Sequence, residues 1–221
     1  MEMLKHEELF RGKNISNLAD YEYWMGGCGA LGSNIAEGLA RMGGEYFTLV
    51  DMDRIEVSNL GTQPWYQEEI GLLKVDAASR RLYRINKSKY NLFNKKFEES
   101  TFNKVKPASG KSCIIIDVFD NWEARKDVKK FHVKGNGYAC IHAGMSGDGF
   151  GQVVWDEDFV IPKIEKKEGV DVCEYPLARN LVLFVATLAT EAIVEFITKG
   201  KKANYYFTLL DAHIDKKYVK E

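Results

Sequence analysis

The chain has 221 residues, with 31 Lys plus Arg against 32 Asp plus Glu and a pI near 6.5. That length allows one α/β domain with a large core, and the near-zero net charge gives no bulk electrostatic case for nucleic acid or an anionic membrane. Cys28, Cys113, Cys140 and Cys173 are widely separated and form no C-x-x-C pair, which argues against a disulfide framework or a thiol zinc knuckle and fits a reducing cytoplasm.

Residues 1–20 read as a charged arm carrying Phe10, Arg11 and Leu18, without the apolar stretch of a signal peptide. Residues 21–221 read as a single domain. It opens with an apolar run, Tyr21 to Met25, that leads into Gly27-Cys28-Gly29-Ala30-Leu31-Gly32-Ser33. A helical pattern through Ile35, Leu39 and Met42 follows, then Tyr46 to Val50 ending on Asp51. Strand, glycine turn, helix, strand is the order of a nucleotide-binding unit. The glycines let backbone approach a phosphate, and the helix N-terminus offers unpaired N–H groups to the anion. Asp51 closes the second strand about 20 residues past the turn, where a carboxylate can accept from a ribose. Packing alone also produces glycine turns after strands, so this signal is moderately specific.

Asp51-Met52-Asp53 continues into Val57-Ser58-Asn59-Leu60, a polar segment beyond a strand's carboxyl end, where open α/β sheets place their ligands. From Glu68 to Asn86, Ile70, Leu73, Ala77, Leu82 and Ile85 recur at helical spacing. Arg80, Arg81 and Arg84 read as that helix's solvated face, whereas Lys74, near the helix start and behind the Asn59 loop, is placed to reach a phosphate. Tyr90 to Phe93 is a weak strand, and Phe97 to Gly110 reads as polar and irregular. Cys113 to Asp117 is a continuous apolar run suited to a parallel strand buried on both faces, and it ends in Asp117-Val118-Phe119-Asp120-Asn121.

A helix is expected from Trp122 to Lys134, with Asn121 as its cap. Strands follow at Gly137 to His142 and Gly151 to Trp155, then a long charged loop over 156–177. The final helix, Ala178 to Lys199, contains the most apolar run of the chain. That run, Leu181 to Ile197, is shorter than the roughly 20 residues of a membrane span and carries Glu191 and Glu195, so it reads as a buried or interface helix. A strand at Tyr205 to Leu210 closes the domain. The expected architecture is doubly wound and Rossmann-like, with a mostly parallel sheet and antiparallel C-terminal strands.

Laid side by side, these pieces resemble the ThiF/MoeB family of ubiquitin-activating-like adenylating enzymes, from about Phe10 to Asp211. The carriers are the glycine turn, Asp51-Met52-Asp53, Val57-Ser58-Asn59-Leu60 with Gln63, Gly71-Leu72-Leu73-Lys74, Arg84-Ile85-Asn86 and Asp117-Val118-Phe119-Asp120-Asn121. Together they are far more specific than the glycine turn alone. The resemblance implies ATP-dependent adenylation of a carboxylate, most often the C-terminal glycine of a small ubiquitin-like or sulfur-carrier protein. By the same resemblance, Gly27, Gly29 and Gly32 would shape the phosphate turn and Asp51 would hold the ribose. Asp53, Asn59 and Gln63 would order the nucleotide, Lys74 would neutralise the phosphates and Asp120 would bind Mg²⁺. Cys173 would take the activated acyl group, helped by the nearby Lys163, Lys166 and Lys167; its bland alternative is a half-buried loop cysteine with no role. Cys28, Cys113, Cys140 and the four histidines read as packing or structural residues.

The sequence departs from the family pattern at two places. Thr62 stands where the family has an Arg before its Gln, and Thr supplies neither charge nor a bidentate fork. Arg11, donated by a neighbouring subunit, is one replacement, which together with the apolar last helix implies a homodimer. Ala30 replaces a turn glycine, at little cost where φ is negative. The C-x-x-C zinc pairs of many relatives are absent, so no structural zinc is expected. The alternatives are a non-catalytic scaffold, motivated by Thr62, and an NAD-binding oxidoreductase, motivated by the glycine turn and Asp51.

Overall fold

The computed structural model describes residues 16–134, 138–161 and 172–220. Its strands join one eight-stranded sheet in the order β3-β2-β1-β4-β5-β6-β7-β8. Strands β1 (Tyr21–Gly26), β2 (Tyr46–Val50), β3 (Lys89–Phe93), β4 (Ser112–Asp117) and β5 (Ala139–Met145) are parallel. Strands β6 (Phe150–Trp155), β7 (Ala203–Thr208) and β8 (His213–Tyr218) extend the sheet antiparallel. The fold is therefore the mostly parallel, doubly wound one expected, with antiparallel C-terminal strands. Edge strand β8 carries no apolar alternation and is almost wholly exposed, so hydrophobic periodicity could not reveal it.

Helices α1 (Ala30–Arg41), α2 (Lys74–Asn86) and α4 (Arg179–Lys199) pack together on one face, and α3 (Trp122–Lys134) covers the other. Val182, Val185, Ala189 and Ile193 of α4 are fully buried against the sheet. The helix is apolar enough for a membrane span by length and composition, yet 61% of its most apolar window is buried in the domain, as a core helix requires. From β1 the chain moves outward to β2 and β3, then returns past β1 to β4. This reversal between β1 and β4 leaves a crevice at their carboxyl ends, because neighbouring connections leave in opposite directions.

Three local expectations are corrected. Helix α2 begins at Lys74, not Glu68: Gly71 adopts φ +89°, and the backbone of Gly71 and Leu72 pairs with Ile55 at 2.9 Å, so these groups are spent before the helix can use them. Arg81 is not on a solvated face. Its guanidinium lies 3.5 Å from Glu37 and 3.4 Å from Glu69, above the rings of Trp65 and Tyr66. Helical spacing could not show that a preceding loop folds back over it. Finally, the Phe97 to Gly110 segment is less polar than it reads, since Phe97, Phe102 and Val105 are buried in an aromatic cluster with Trp24 and Phe131. Trp24 also donates its indole N–H to the Val105 carbonyl at 2.9 Å.

Candidate active site

A cavity of about 690 Å³ opens in the crevice, a size suited to a nucleotide. The glycine turn forms its floor. Gly27 has φ +101°, a conformation that disfavours a side chain, and its N–H bonds the Val50 carbonyl at 2.9 Å. A Cβ on Gly32 would lie 1.9 Å from the Gly27 carbonyl oxygen, so this position needs glycine for close packing of turn and helix. Gly29 is different: a Cβ there would meet no protein atom within 4 Å, and its backbone borders the cavity. Ala30 begins α1 without a positive φ, so its replacement of glycine is unstrained.

The end of β2 supplies the acids. Asp51 accepts the Cys28 N–H at 2.7 Å on Oδ2 and the Asp53 N–H at 2.8 Å on Oδ1, which fixes its carboxylate under the turn. Burial pushes its carboxyl up, while Lys74 and the two amides pull the other way. Lys74, the first residue of α2, is largely buried and lies 3.0 Å from Asp53 Oδ2. Burial alone would lower its pKa, but the charges of Asp51, Asp53 and Asp120 outweigh it and the net direction is up. Lys74 is thus held cationic beside three carboxylates. Asp120, exposed at the end of the β4 loop, lines the same cavity. Asn121 accepts the Ala124 N–H at 2.8 Å and caps α3, as its position implied.

Asn59 and Gln63 also line the cavity, each with one amide oxygen already engaged. Asn59 Oδ1 accepts the Glu56 N–H at 3.0 Å, and Gln63 Oε1 accepts the Trp65 indole N–H at 2.7 Å. Both oxygens hold local structure, so any ligand contact falls to the amide NH₂ groups. Thr62 is fully buried, and its hydroxyl donates to the Cys173 carbonyl, tying the residue in the place of the family Arg to the segment that carries Cys173. Cys173 is partly buried and lines the cavity with Lys74 and Asp120. Arg11, Lys163, Lys166 and Lys167 lie outside the described residues.

Sequence reading passed over three cations. Lys95, Lys96 and Arg125 border the cavity. Arg125 Nε donates to the Phe119 carbonyl at 2.7 Å and Nη2 to the Ala143 carbonyl at 2.9 Å, so the guanidinium is held across the ends of β4 and β5. The available signal was a cation in the first turn of a helix, an end that disfavours positive charge. Asp117 takes no part in the cavity. It is fully buried and its Oδ2 lies 2.7 Å from His142 Nδ1.

A family model described as "ThiF family" matches residues 5–219. The chain belongs to the ThiF family. Among curated relatives, it is 37% identical over 113 residues to the sulfur carrier protein ThiS adenylyltransferase of Bacillus subtilis, covering 49% of this chain and 32% of that protein. It is 30% identical over 111 residues to ubiquitin-like modifier-activating enzyme 5 of Caenorhabditis elegans, covering 46% of this chain and 26% of that protein. The matched region is thus about a third or less of these relatives' own lengths. A crystal structure of E. coli MccB with ATP superposes with a TM-score of 0.72 at 20% identity, covering 92% of this chain and 65% of that one. At that identity the likeness concerns the fold alone.

Proposed function

We propose that this chain binds ATP with Mg²⁺ and adenylates a carboxylate, best matched by the C-terminal glycine of a small ubiquitin-like or sulfur-carrier protein, with Cys173 as acceptor of the activated acyl group. The observation that carries the proposal is that Lys74, Asp51, Asp53, Asp120 and Cys173, far apart in sequence, border one cavity beside the glycine turn. Family membership and the adenylyltransferase relative support the same chemistry, and MccB, with this fold, holds ATP.

The residues divide the work by their chemistry. Gly27 shapes the turn, Gly29 presents backbone at the phosphates, and Asp51 has lone pairs left for ribose hydroxyls. Lys74 exchanges Asp53 for phosphate oxygens when a polyanion enters, since an ammonium on a long stem reorients easily. Lys95 and Lys96 are cations available in place of the family Arg, and Arg125, held by the Phe119 and Ala143 carbonyls, adds positive charge at the cavity edge. Asp53 and Asp120 offer the hard oxygen ligands that fit Mg²⁺. When bound, that ion neutralises charge on the leaving pyrophosphate. A carboxylate oxygen attacks the α-phosphorus, the bond to pyrophosphate breaks, and no proton moves. The Cys173 thiolate then attacks the acyl carbon and AMP leaves, giving a thioester. Positioning and electrostatic stabilisation supply most of such a rate.

A homodimer in the cytoplasm, with Arg11 of one subunit completing its partner's site, remains part of this proposal. Thr62 favours one rival. It supplies no charge where the family has Arg, as expected of a scaffold subunit that has lost catalysis. The NAD-binding alternative leaves Lys74, Asp120 and Cys173 without a task. Calorimetry with ATP and Mg²⁺ separates the readings: binding in the micromolar to millimolar range, tighter than NAD, is expected. A folded chain that binds no ATP overturns the enzyme.

A further inference from the structure

On the α3 face of the sheet, away from the nucleotide cavity, polar side chains from three elements meet in an otherwise aromatic layer. Cys140 and His142 stand two apart on β5, so both point to the same face, and both are almost fully buried. The last turn of α3 brings His132, and Asp156 follows directly on β6, the antiparallel neighbour of β5. The donor atoms of His132, Cys140 and Asp156 all lie within 4.8 Å of one another. His132 Nδ1 is 3.2 Å from Asp156 Oδ2, and His142 Nε2 is 2.9 Å from Asp156 Oδ1 and 3.5 Å from Cys140 Sγ.

The outer nitrogens decide how this cluster can be read. His132 Nε2 lies 2.7 Å from the Tyr138 carbonyl, which only accepts, so that nitrogen carries the proton. In the neutral ring, Nδ1 then turns a lone pair toward a carboxylate; this buried nitrogen has no properly aligned hydrogen bond. His142 repeats the pattern, with Nδ1 2.7 Å from Asp117 and Nε2 facing Asp156. Two lone pairs facing each other repel unless a proton or a metal ion lies between them. An imidazole with its outer N–H on a carbonyl or carboxylate and its inner nitrogen toward a shared centre is the usual arrangement of a metal ligand. In tetrahedral zinc sites, bonds of about 2.0–2.1 Å to nitrogen or oxygen and about 2.3 Å to sulfur set adjacent donors roughly 3.3–3.6 Å apart. The 3.2 Å between His132 and Asp156 and the 3.5 Å between His142 and Cys140 are close to that spacing, and the other separations within the triad are at most 4.8 Å.

We propose that His132, Cys140 and Asp156 form a zinc site, with His142 Nε2 beside them to fill the fourth position. Imidazole, thiolate and carboxylate together suit zinc better than magnesium or calcium. Binding displaces the Cys140 thiol proton to solvent and involves no oxidation. It also displaces Lys129, whose ammonium lies 2.9 Å from Asp156 Oδ1 and whose side chain, 29% exposed, can swing into water. The site is structural. Cys140 lies four residues along β5 from Gly144 at the cavity, roughly 13 Å at the rise of a strand. The ion would pin the end of α3 to the β5–β6 hairpin. The expected absence of structural zinc rested on missing C-x-x-C pairs and did not consider a set with one cysteine.

The test uses the full chain in a Cys173→Ser background, stripped with a chelator and titrated with Co²⁺. One equivalent should produce a thiolate-to-cobalt charge-transfer band that zinc abolishes. His132→Ala should weaken binding at least about tenfold, and Cys140→Ser should remove the band. Should Cys140→Ser fail to fold, Lys129→Ala keeps every ligand and removes the competing ammonium; it should bind cobalt several-fold tighter. No band from the folded parent or from Lys129→Ala, or a band that survives Cys140→Ser, overturns the site.

Discussion

The Lys74 ammonium lies 3.0 Å from Asp53 Oδ2, and the Lys74 main-chain N–H bonds the Asp53 carbonyl, also at 3.0 Å. One residue at the start of α2 is thus tied twice to the segment leaving β2, and its charge is fixed at the mouth of the glycine turn. The ion pair holds the cation ready, because Asp53 is half exposed and can yield to a phosphate oxygen.

Lys74→Ala and Asp120→Ala should each abolish pyrophosphate exchange measured with ATP and a carrier protein ending in Gly-Gly. Lys74→Ala should also weaken ATP binding at least about tenfold, since a charge-assisted hydrogen bond contributes about 1.5–3 kcal/mol. Exchange at the parental rate in either variant would remove that residue from the mechanism.

The turn glycines should separate fold from function. Gly32→Ala drives a Cβ onto the Gly27 carbonyl and should destabilise by about 2–3 kcal/mol, read as a lower denaturant midpoint. Gly29→Ala meets only open cavity, so the stability cost should not exceed about 1 kcal/mol, the usual loss of placing Ala at the N-cap of α1, while ATP affinity falls. The reverse pattern would mean that the cavity is not the phosphate site.

Thr62→Val removes the hydroxyl that donates to the Cys173 carbonyl and leaves that acceptor without this partner. A loss of about 1 kcal/mol in stability is expected. A gel assay under non-reducing conditions should show less carrier thioester on Cys173, with ATP affinity unchanged. Thr62→Arg should not restore a family-like site, because the position is fully buried and an added guanidinium would overpack it.

Glu195 on α4 sets a pH window. Burial pushes its carboxyl up, but Lys216 at 2.7 Å, Tyr218 at 3.0 Å and Lys199 outweigh it and the net shift is down. A depressed carboxyl stabilises the fold above its unfolded pKa of about 4.3 and loses that contribution as pH falls through the folded value. Lys216 shifts up, with burial opposed by bonds to Glu195 and the tyrosines, so its share holds below about 10.4 and fades at higher pH. Urea midpoints should therefore decline below about pH 4.5 more steeply in the parent than in Glu195→Gln.

Periodicity and turn chemistry determined much of this protein before any tertiary contact was known. The apolar runs of β1 and β4, the glycine turn, the Asn121 cap and the spacing of α1, α3 and α4 are local signals, because each follows from backbone geometry within a few residues. The motif order placed Lys74, Asp51, Asp53 and Asp120 together, since an open sheet sends all its parallel strand ends to one side. What stayed illegible were contacts between segments distant in sequence. Nothing local shows Thr62 bonding Cys173, Arg81 stacked over Trp65 and Tyr66, or Arg125 reaching across to the end of β5. The meeting of His132, Cys140 and Asp156 is of the same kind. Their closeness exists only once α3, β5 and β6 have packed, and a linear spacing of donors carries no trace of it.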